Sequence, residues 1–454
     1  MKPFIQTYDQ ALDFIYAQID FSFTKQQRYS EEVFNLDRMR HFMQVLGDPQ
    51  NIYKTVHVAG TKGKGSIAAM MSSALKEAGY RTGFYSSPHM IDYTERIQVD
   101  NCPIPRQDFV DVLNELYPTI QEIHGLTTFE ITTAVAFQYF KRQNIDIGVI
   151  EVGLGGRLDA TNIIQPQVAV IASISLDHTA ILGDTLEAIA AEKAGIIKPG
   201  IPVVISPQKS SVRAVFEQIA NERNAFFIPT GDCIHFLERQ TNLEQQEFDI
   251  QYPATLLSSQ TEQKKIHITL PLLGLHQMQN AGTAFCALKV LDEIGTPLSE
   301  QAITNGFKKV FWPGRFEVLQ KHPFLIIDAA HNLESSTCLV NTIKELFPGK
   351  NVTWIFGASE DKDIGGMLAN FSKIASQIIL TKSTHPRAAD PVGMSEKYIP
   401  SGCDTIIIDD IQKALDYGLN NAQSGDVVIA SGSVFIAAAI REIWLADHVE
   451  KANQ

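Results

Sequence analysis

The sequence predicts an α/β fold in two parts: a large N-terminal domain with a mostly parallel sheet, then a smaller C-terminal α/β domain. Three observations carry that expectation. Short apolar runs rich in β-branched residues alternate with amphipathic helical stretches, the pattern of a parallel sheet covered by helices. The first of these runs feeds a glycine-rich loop. A second alternating series then starts after Trp312-Pro313-Gly314-Arg315.

In chain order, the first fifty residues read as helical, with Phe14, Ile15, Ile19, Phe34, Met39, Phe42, Met43 and Leu46 as core candidates. Strands are expected at Thr55–Ala59, Thr82–Ser86, Ile145–Val152, Val168–Ser173 and Pro202–Ser206, and helices at Ile67–Ala78, Thr132–Gln143 and Leu186–Ala194. From Phe226 to Leu273 helical signals are few, and Phe248–Gln251 and Ile266–Leu270 read as a small antiparallel appendage. A helix at His276–Glu293 ends at the breaker Gly295-Thr296-Pro297. The second series has strands at Phe324–Asp328, Val352–Phe356, Gln377–Leu380, Thr405–Ile408 and Val427–Ala430. The expected organisation is a domain over 1–311, a hinge over 312–318 and a domain over 319–454, with the active site in the cleft between them.

Composition narrows the function. The chain has 454 residues, enough for several full cores, and a net charge of −13, which argues against a nonspecific nucleic-acid binder. Five scattered cysteines without a Cys-x-x-Cys pair fit free thiols in a reducing compartment. No signal-peptide core and no apolar run of membrane-spanning length is present, so a cytoplasmic location is expected.

Strand Thr55–Ala59 runs into Gly60-Thr61-Lys62-Gly63-Lys64-Gly65-Ser66 and then a helix. Glycines let backbone amides curl around phosphate oxygens, and the helix N-terminus adds partial positive charge. Lys64 would neutralise the terminal phosphates, and Ser66 could reach phosphate or magnesium. The spacing departs from the strict P-loop pattern, because a glycine separates Lys64 from Ser66. The bland alternative is a glycine-rich turn with two solvated lysines. In strand–loop–helix context nucleotide binding is the stronger reading.

Two further strand ends carry chemistry. Glu151 closes an apolar strand and opens the loop Val152-Gly153-Leu154-Gly155-Gly156-Arg157-Leu158-Asp159-Ala160-Thr161-Asn162. Ligands of open α/β sheets bind at that edge, and a carboxylate there can hold Mg²⁺. Ser175-Leu176-Asp177-His178 follows the next strand; taken alone, its histidine reads equally as structural or as a ligand. Lys193, in Glu192–Lys198, reads by itself as a surface lysine.

Together these segments resemble the folylpolyglutamate synthase and bifunctional dihydrofolate synthase family of the Mur ligase superfamily. The resemblance runs from about Asn35 to about Ile440 and includes Ser86-Ser87-Pro88-His89, Thr128-Phe129-Glu130, His276–Asn280, Gly314-Arg315-Phe316-Glu317 and Asp328–Asn332. It implies an N-terminal ATP-binding domain of Mur ligase central type, with a P-loop, and a Rossmann-like C-terminal domain. It also implies ATP on Thr61, Lys62, Gly63, Lys64, Gly65 and Ser66, with contacts from Asn280, Arg315, Asp328 and His331. Two Mg²⁺ ions are implied, through Ser66, Ser87, Glu151, His178 and a carbamylated Lys193, and a monovalent cation is left open. Thr127, Thr128, Phe129, Glu130, Leu158, Asp159 and Ala160 match the pterin-binding region. Lys64, His178, Lys193 and His331 are the implied catalytic groups.

The implied activity is ATP-dependent ligation of L-glutamate to the carboxylate of a reduced folate through an acyl phosphate. Its partners are small molecules, with neither nucleic acid nor membrane, and the chain is expected as a monomer. Ligation of glutamate to dihydropteroate is the near alternative, and a P-loop switch without ligase chemistry is the alternative from another class. Two departures from the family pattern stand out: Lys62 where asparagine is common, and Ala329 where glycine is common.

Overall fold

The structure, a computed structural model, describes residues 5–19, 36–258 and 262–452. Phe34 lies outside the described residues. Eight strands form the first sheet: β1 Lys54–Ala59, β2 Thr82–Tyr85, β3 Ile97–Val99, β4 Cys102–Pro103, β5 Ile147–Glu151, β6 Val168–Ile171, β7 Val203–Ile205 and β8 Phe227–Pro229. Their spatial order is β4-β3-β2-β5-β1-β6-β7-β8. All neighbours are parallel except β2–β3 and β3–β4.

Period-two alternation divides the side chains between two faces. Val56, Val58, Ile147, Val149, Val168 and Val170 face one core with helices Lys64–Glu77, Leu275–Glu293 and Glu300–Lys309. On the other face Ile150 joins helices Tyr8–Tyr16, Leu36–Val45, Arg106–Glu122 and Thr128–Arg142, while Ala169 and Ile171 join helices Leu186–Lys193 and Ser210–Glu222. Met39, Phe42 and Met43 are buried as expected, but Ile19 is exposed. Its contribution is through backbone, because its carbonyl accepts the Thr128 N–H at 3.0 Å.

The antiparallel appendage has three strands, β9 His235–Thr241, β10 Gln246–Pro253 and β11 Gln263–Leu270. It buries Phe248, Ile250 and Tyr252 against the long helix Leu275–Glu293, with Tyr252 meeting Phe285 edge-on at 4.8 Å.

The last sheet contains β12 Glu317–Lys321, β13 Phe324–Ile327, β14 Val352–Phe356, β15 Gln377–Leu380, β16 Thr405–Ile407 and β17 Val427–Ser431, in the order β12-β13-β17-β14-β15-β16. Only β12 runs antiparallel. Helices cover both faces: Leu333–Leu346 and Ile364–Phe371 on one, Ile411–Asn421 and Val434–Ala452 on the other. Among the described residues no helix is long and apolar enough to cross a membrane.

Candidate active site

Four adjacent strands, β2-β5-β1-β6, end at one edge of the first sheet. Tyr85 registers with Ile150, Val58 with Glu151, and Ala59 with Ile171. The segments leaving them are Ser86–His89, the Glu151 loop, the Gly60–Ser66 loop and Ser173–His178. Parallel register therefore brings the predicted sites to one place, the ligand-binding edge of an open α/β sheet.

The glycine-rich loop is tightly seated. Gly60 takes φ +141°, and a Cβ there would fall 2.6 Å from the Ala172 Cβ. Gly63 takes φ +89°, and a Cβ would fall 2.3 Å from Asn280 Oδ1, so the loop rests on Asn280. The Thr61 and Lys62 amides donate to Ser173 O at 2.8 and 3.2 Å. The loop amides left to face an anion are accordingly those from Gly63 onward. Helix Lys64–Glu77 starts at once, its Gly63 cap supplying no side-chain oxygen, and Ser66 is buried in its first turn. An uncapped helix N-terminus with a lysine beside it suits an anion. Trp312 packs its indole on Gly65, where a Cβ would lie 2.8 Å from Cζ2, and meets the Phe84 ring at a tilt, 5.4 Å between centroids.

Glu151 is 4% exposed, with Lys64 Nζ at 3.9 Å from Oε1. Burial pushes its carboxyl up to about 7, against the pull of Lys64 and Arg315. Arg315 is enclosed near Asp328 and Glu151 and donates to Gly314 O at 3.1 Å. Asp328 accepts the Phe316 and Ala330 amides, each at 2.8 Å, so its carboxylate shapes the turn that holds Arg315. Ala329 takes no positive φ, which is why alanine fits there.

Lys193 corrects the surface reading: it is 5% exposed. Burial, then the charge of Lys64, lower its ammonium to about 7. Its seat is a tight crossing of two loops. A Cβ on Gly195 would fall 2.3 Å from Arg157 Cα, and one on Gly156 would fall 2.9 Å from Lys193 Cα. Arg157 donates its amide to Glu192 O at 2.8 Å and pairs with the Glu192 carboxylate at 3.1 Å. His178 sits in left-handed backbone, φ 50° and ψ 36°, with its side chain 43% exposed.

A cleft of about 1650 Å³ unites Ser87, Glu151, His178, Arg315 and His331 with Thr127–Glu130 and Leu158–Ala160. Two carboxylates in that wall are already engaged. Glu130 takes Arg38 in a fork, at 2.9 Å to each oxygen, and accepts the Thr127 amide at 2.8 Å in a capping box. Asp159 accepts the Leu154 and Thr161 amides at 2.9 and 3.0 Å. Thr128 is tied to Ile15 O at 2.9 Å, while Phe129 lays its ring on Gly153. A planar ligand would thus meet Phe129, Leu158 and Ala160 as surface, with the two acids holding the wall in shape.

Among the described residues no three of His, Cys, Asp and Glu are arranged to hold a metal ion by themselves. The available donors are the Glu151 carboxylate, the His178 imidazole, the hydroxyls of Ser66 and Ser87, and Lys193 if it is modified. That set fits Mg²⁺, which keeps waters and shares phosphate oxygens rather than filling a protein cage. A buried carboxylate with a raised pKa also gains most from a cation beside it.

Three groups near the site carried little sequence signal. Arg38 lies in a helical stretch beside Asp37 and Arg40 with no motif of its own, and Asp177 precedes the histidine that draws the ligand reading. Lys362 belongs to Asp361-Lys362-Asp363, which reads from its residues as a turn and helix cap, although the family the chain resembles has a similar stretch at the cleft.

The chain matches the Mur ligase middle domain over residues 58–288 and the Mur ligase glutamate ligase domain over 314–434. Fold, phosphate loop and these two matches define an ATP-dependent ligase of the Mur ligase type. A dihydrofolate synthase/folylpolyglutamate synthase of Bacillus subtilis is 35% identical, covering 90% of this chain and 94% of the relative. A folylpolyglutamate synthase of Lacticaseibacillus casei is 31% identical over 90% and 94%. A Mycobacterium tuberculosis folylpolyglutamate synthase solved with ADP superposes with a TM-score of 0.85, at 30% identity, over 96% and 98% of the two chains. Escherichia coli FolC with DHPP and ADP gives 0.82 at 29% identity, over 98% and 99%. The chain belongs to the folylpolyglutamate synthase/dihydrofolate synthase family.

Proposed function

We propose that this cleft joins L-glutamate to the terminal carboxylate of a reduced folate at the expense of ATP. The observation that carries the reading is the common edge shared by the phosphate loop, Ser87, Glu151 and His178, facing the Thr127–Glu130 and Leu158–Ala160 wall in one cleft. The nucleotide-bound and DHPP-bound relatives support it.

A carboxylate is a poor electrophile, so its oxygen first attacks the γ-phosphorus of ATP, releasing ADP and leaving an acyl phosphate. The α-amine of glutamate then attacks the acyl carbon and phosphate departs. Lys64 and the amides from Gly63 to Ser66 hold the phosphates where negative charge accumulates. Asn280 supports the loop from below, and Arg315, oriented by Asp328, reaches from the segment 312–318, read as a hinge between 1–311 and 319–454. His331 closes the cleft from the second lobe. Ser66, Ser87, Glu151, His178 and a carbamylated Lys193 are the residues that would hold Mg²⁺, whose contribution is neutralising phosphoryl charge. The depressed Lys193 pKa supports carbamylation, because only a neutral amine captures CO₂. The protein works on this reading as a cytoplasmic monomer on small molecules.

Glutamate-dependent ADP release with tetrahydrofolate, and transfer of ¹⁸O from the folate carboxylate into phosphate, test the scheme. Nucleotide turnover indifferent to folate and glutamate would contradict it. Activity on dihydropteroate is the second reading, favoured by the intact Leu158–Ala160 wall and the bifunctional relative; dihydropteroate offered as sole acceptor decides it.

A further inference from the structure

Lys62 and Asp177 leave the first sheet on neighbouring loops; His331 and Lys362 leave the last sheet on two others. The four meet across the cleft. Lys62 Nζ lies 2.9 Å from Asp177 Oδ2 and 2.6 Å from His331 Nε2. Lys362 Nζ lies 2.7 Å from Asp177 Oδ1. His331 Nδ1 faces Ala329 O at 2.8 Å and so carries the proton, leaving Nε2 to accept from Lys62. The Asp177 side chain is 8% exposed, and its Oδ1 also accepts the amide of His178 at 3.0 Å.

A phosphate ligand needs an ammonium free to turn to the phosphate. Among the described residues Lys64 has only a distant carboxylate, at 3.9 Å. Lys62 is committed to an acid and an imidazole, and its own amide is tied to Ser173 O. Asparagine, common at this position in the family, carries no charge to form such an ion pair.

We propose that Lys62, Asp177 and Lys362 form a fastener between the two lobes that positions the loops bearing His178 and His331, with the Lys62 ammonium acting as a tie rather than as a phosphate ligand. The proposal rests on the reading of the cleft as the ligation site. Lys62 and Asp177 share the first lobe, so opening keeps that pair and breaks the two charge-assisted contacts that cross the cleft, Lys362 to Asp177 and Lys62 to His331. Loosening the tie lowers the population of the closed state. Apparent affinity for every ligand of that state then falls by one common factor, with turnover at saturation preserved. Loss of a phosphate ligand acts differently and lowers turnover itself.

The test compares Lys62→Asn, Lys362→Ala, the double variant and Lys362→Arg in steady-state kinetics, with small-angle scattering of the ligand-free proteins. Each of the first two should raise KM for both ATP and folate about tenfold, the scale of a charge-assisted hydrogen bond, with kcat within about twofold. The double variant should fall well short of the product of the singles. Lys362→Arg should retain near-normal constants, and the ligand-free Lys62→Asn and Lys362→Ala proteins should scatter as more open particles. A collapse of kcat in Lys62→Asn at unchanged KM, a silent Lys362→Ala, or multiplicative effects in the double would overturn the fastener. Wild-type glutamate-dependent ADP release judges the ligation reading separately, while scattering without substrates judges the fastener whether or not ligation is seen.

Discussion

Lys64 and Glu151 face each other 3.9 Å apart at the ends of adjacent parallel strands, one following β1 and the other closing β5. Lys64 is the only cation paired with that carboxylate among the described residues. The pair therefore joins the proposed phosphate-binding group directly to the principal candidate metal ligand.

Lys64→Ala should lower kcat by about 10²–10³-fold, the usual loss when one preorganised electrostatic group is removed from a transferring centre. Its circular dichroism should stay close to wild type, while its thermal transition should fall modestly, since buried Glu151 loses its paired cation. ADP release under saturating substrates measures the first, and thermal melting the second.

Glu151→Gln should remove activity yet stabilise the protein when no divalent ion is present. The unfolded carboxyl ionises from about 4.5, whereas the buried one does so only near 7. Across that window the folded state holds the extra proton, so stability falls as pH rises and the wild-type cost is full above 7. The glutamine should gain about 1 kcal/mol or more at pH 8, seen as a rise of a few degrees in Tm. The gain should vanish at pH 4.

Lys193→Ala should be nearly inactive and partly restored by acetate or another small carboxylate occupying the vacated site. Wild-type protein equilibrated with ¹³C-bicarbonate should show a carbamate resonance that the variant lacks. Absence of both rescue and resonance would end the carbamylation reading.

Arg38→Ala should destabilise the fold by about 3 kcal/mol, because it strands the Glu130 carboxylate inside the cleft wall. Urea unfolding reads the loss. Replacing both residues, Arg38→Met with Glu130→Gln, should recover much of it, as expected when the unpaired charge rather than the missing bond is the source.

Much of this fold was legible in the sequence because β-branched runs and glycine loops are local signals. All five parallel strands expected before residue 207 occur within two residues of their predicted ends. Five strands gave no such signal: β3, β4 and β8 are only two or three residues long, and β9 and β12 lack a buried face. β9 is mostly polar, with only partial burial of Phe236, Arg239 and Thr241, and β12 lies at a sheet edge where no face is fully buried. The strand-end positions of Glu151 and His178 were legible because parallel neighbours deliver their loops to one edge, whereas their proposed metal roles came only with the family resemblance. The engagement of Lys62 with Asp177 and His331 was not legible, because its partners lie 115 and 269 positions away. Lys193 was misjudged for a similar reason: its enclosure comes from a loop more than thirty residues earlier, brought close by Gly156 and Gly195.

Mass spectrometry of tetrahydrofolate after incubation with this protein, ATP, Mg²⁺ and L-glutamate tests the central claim most directly. The account predicts a product heavier by one glutamyl residue, formed with one ADP per bond and absent when Lys64 is alanine. Unmodified folate alongside steady ATP consumption would contradict it.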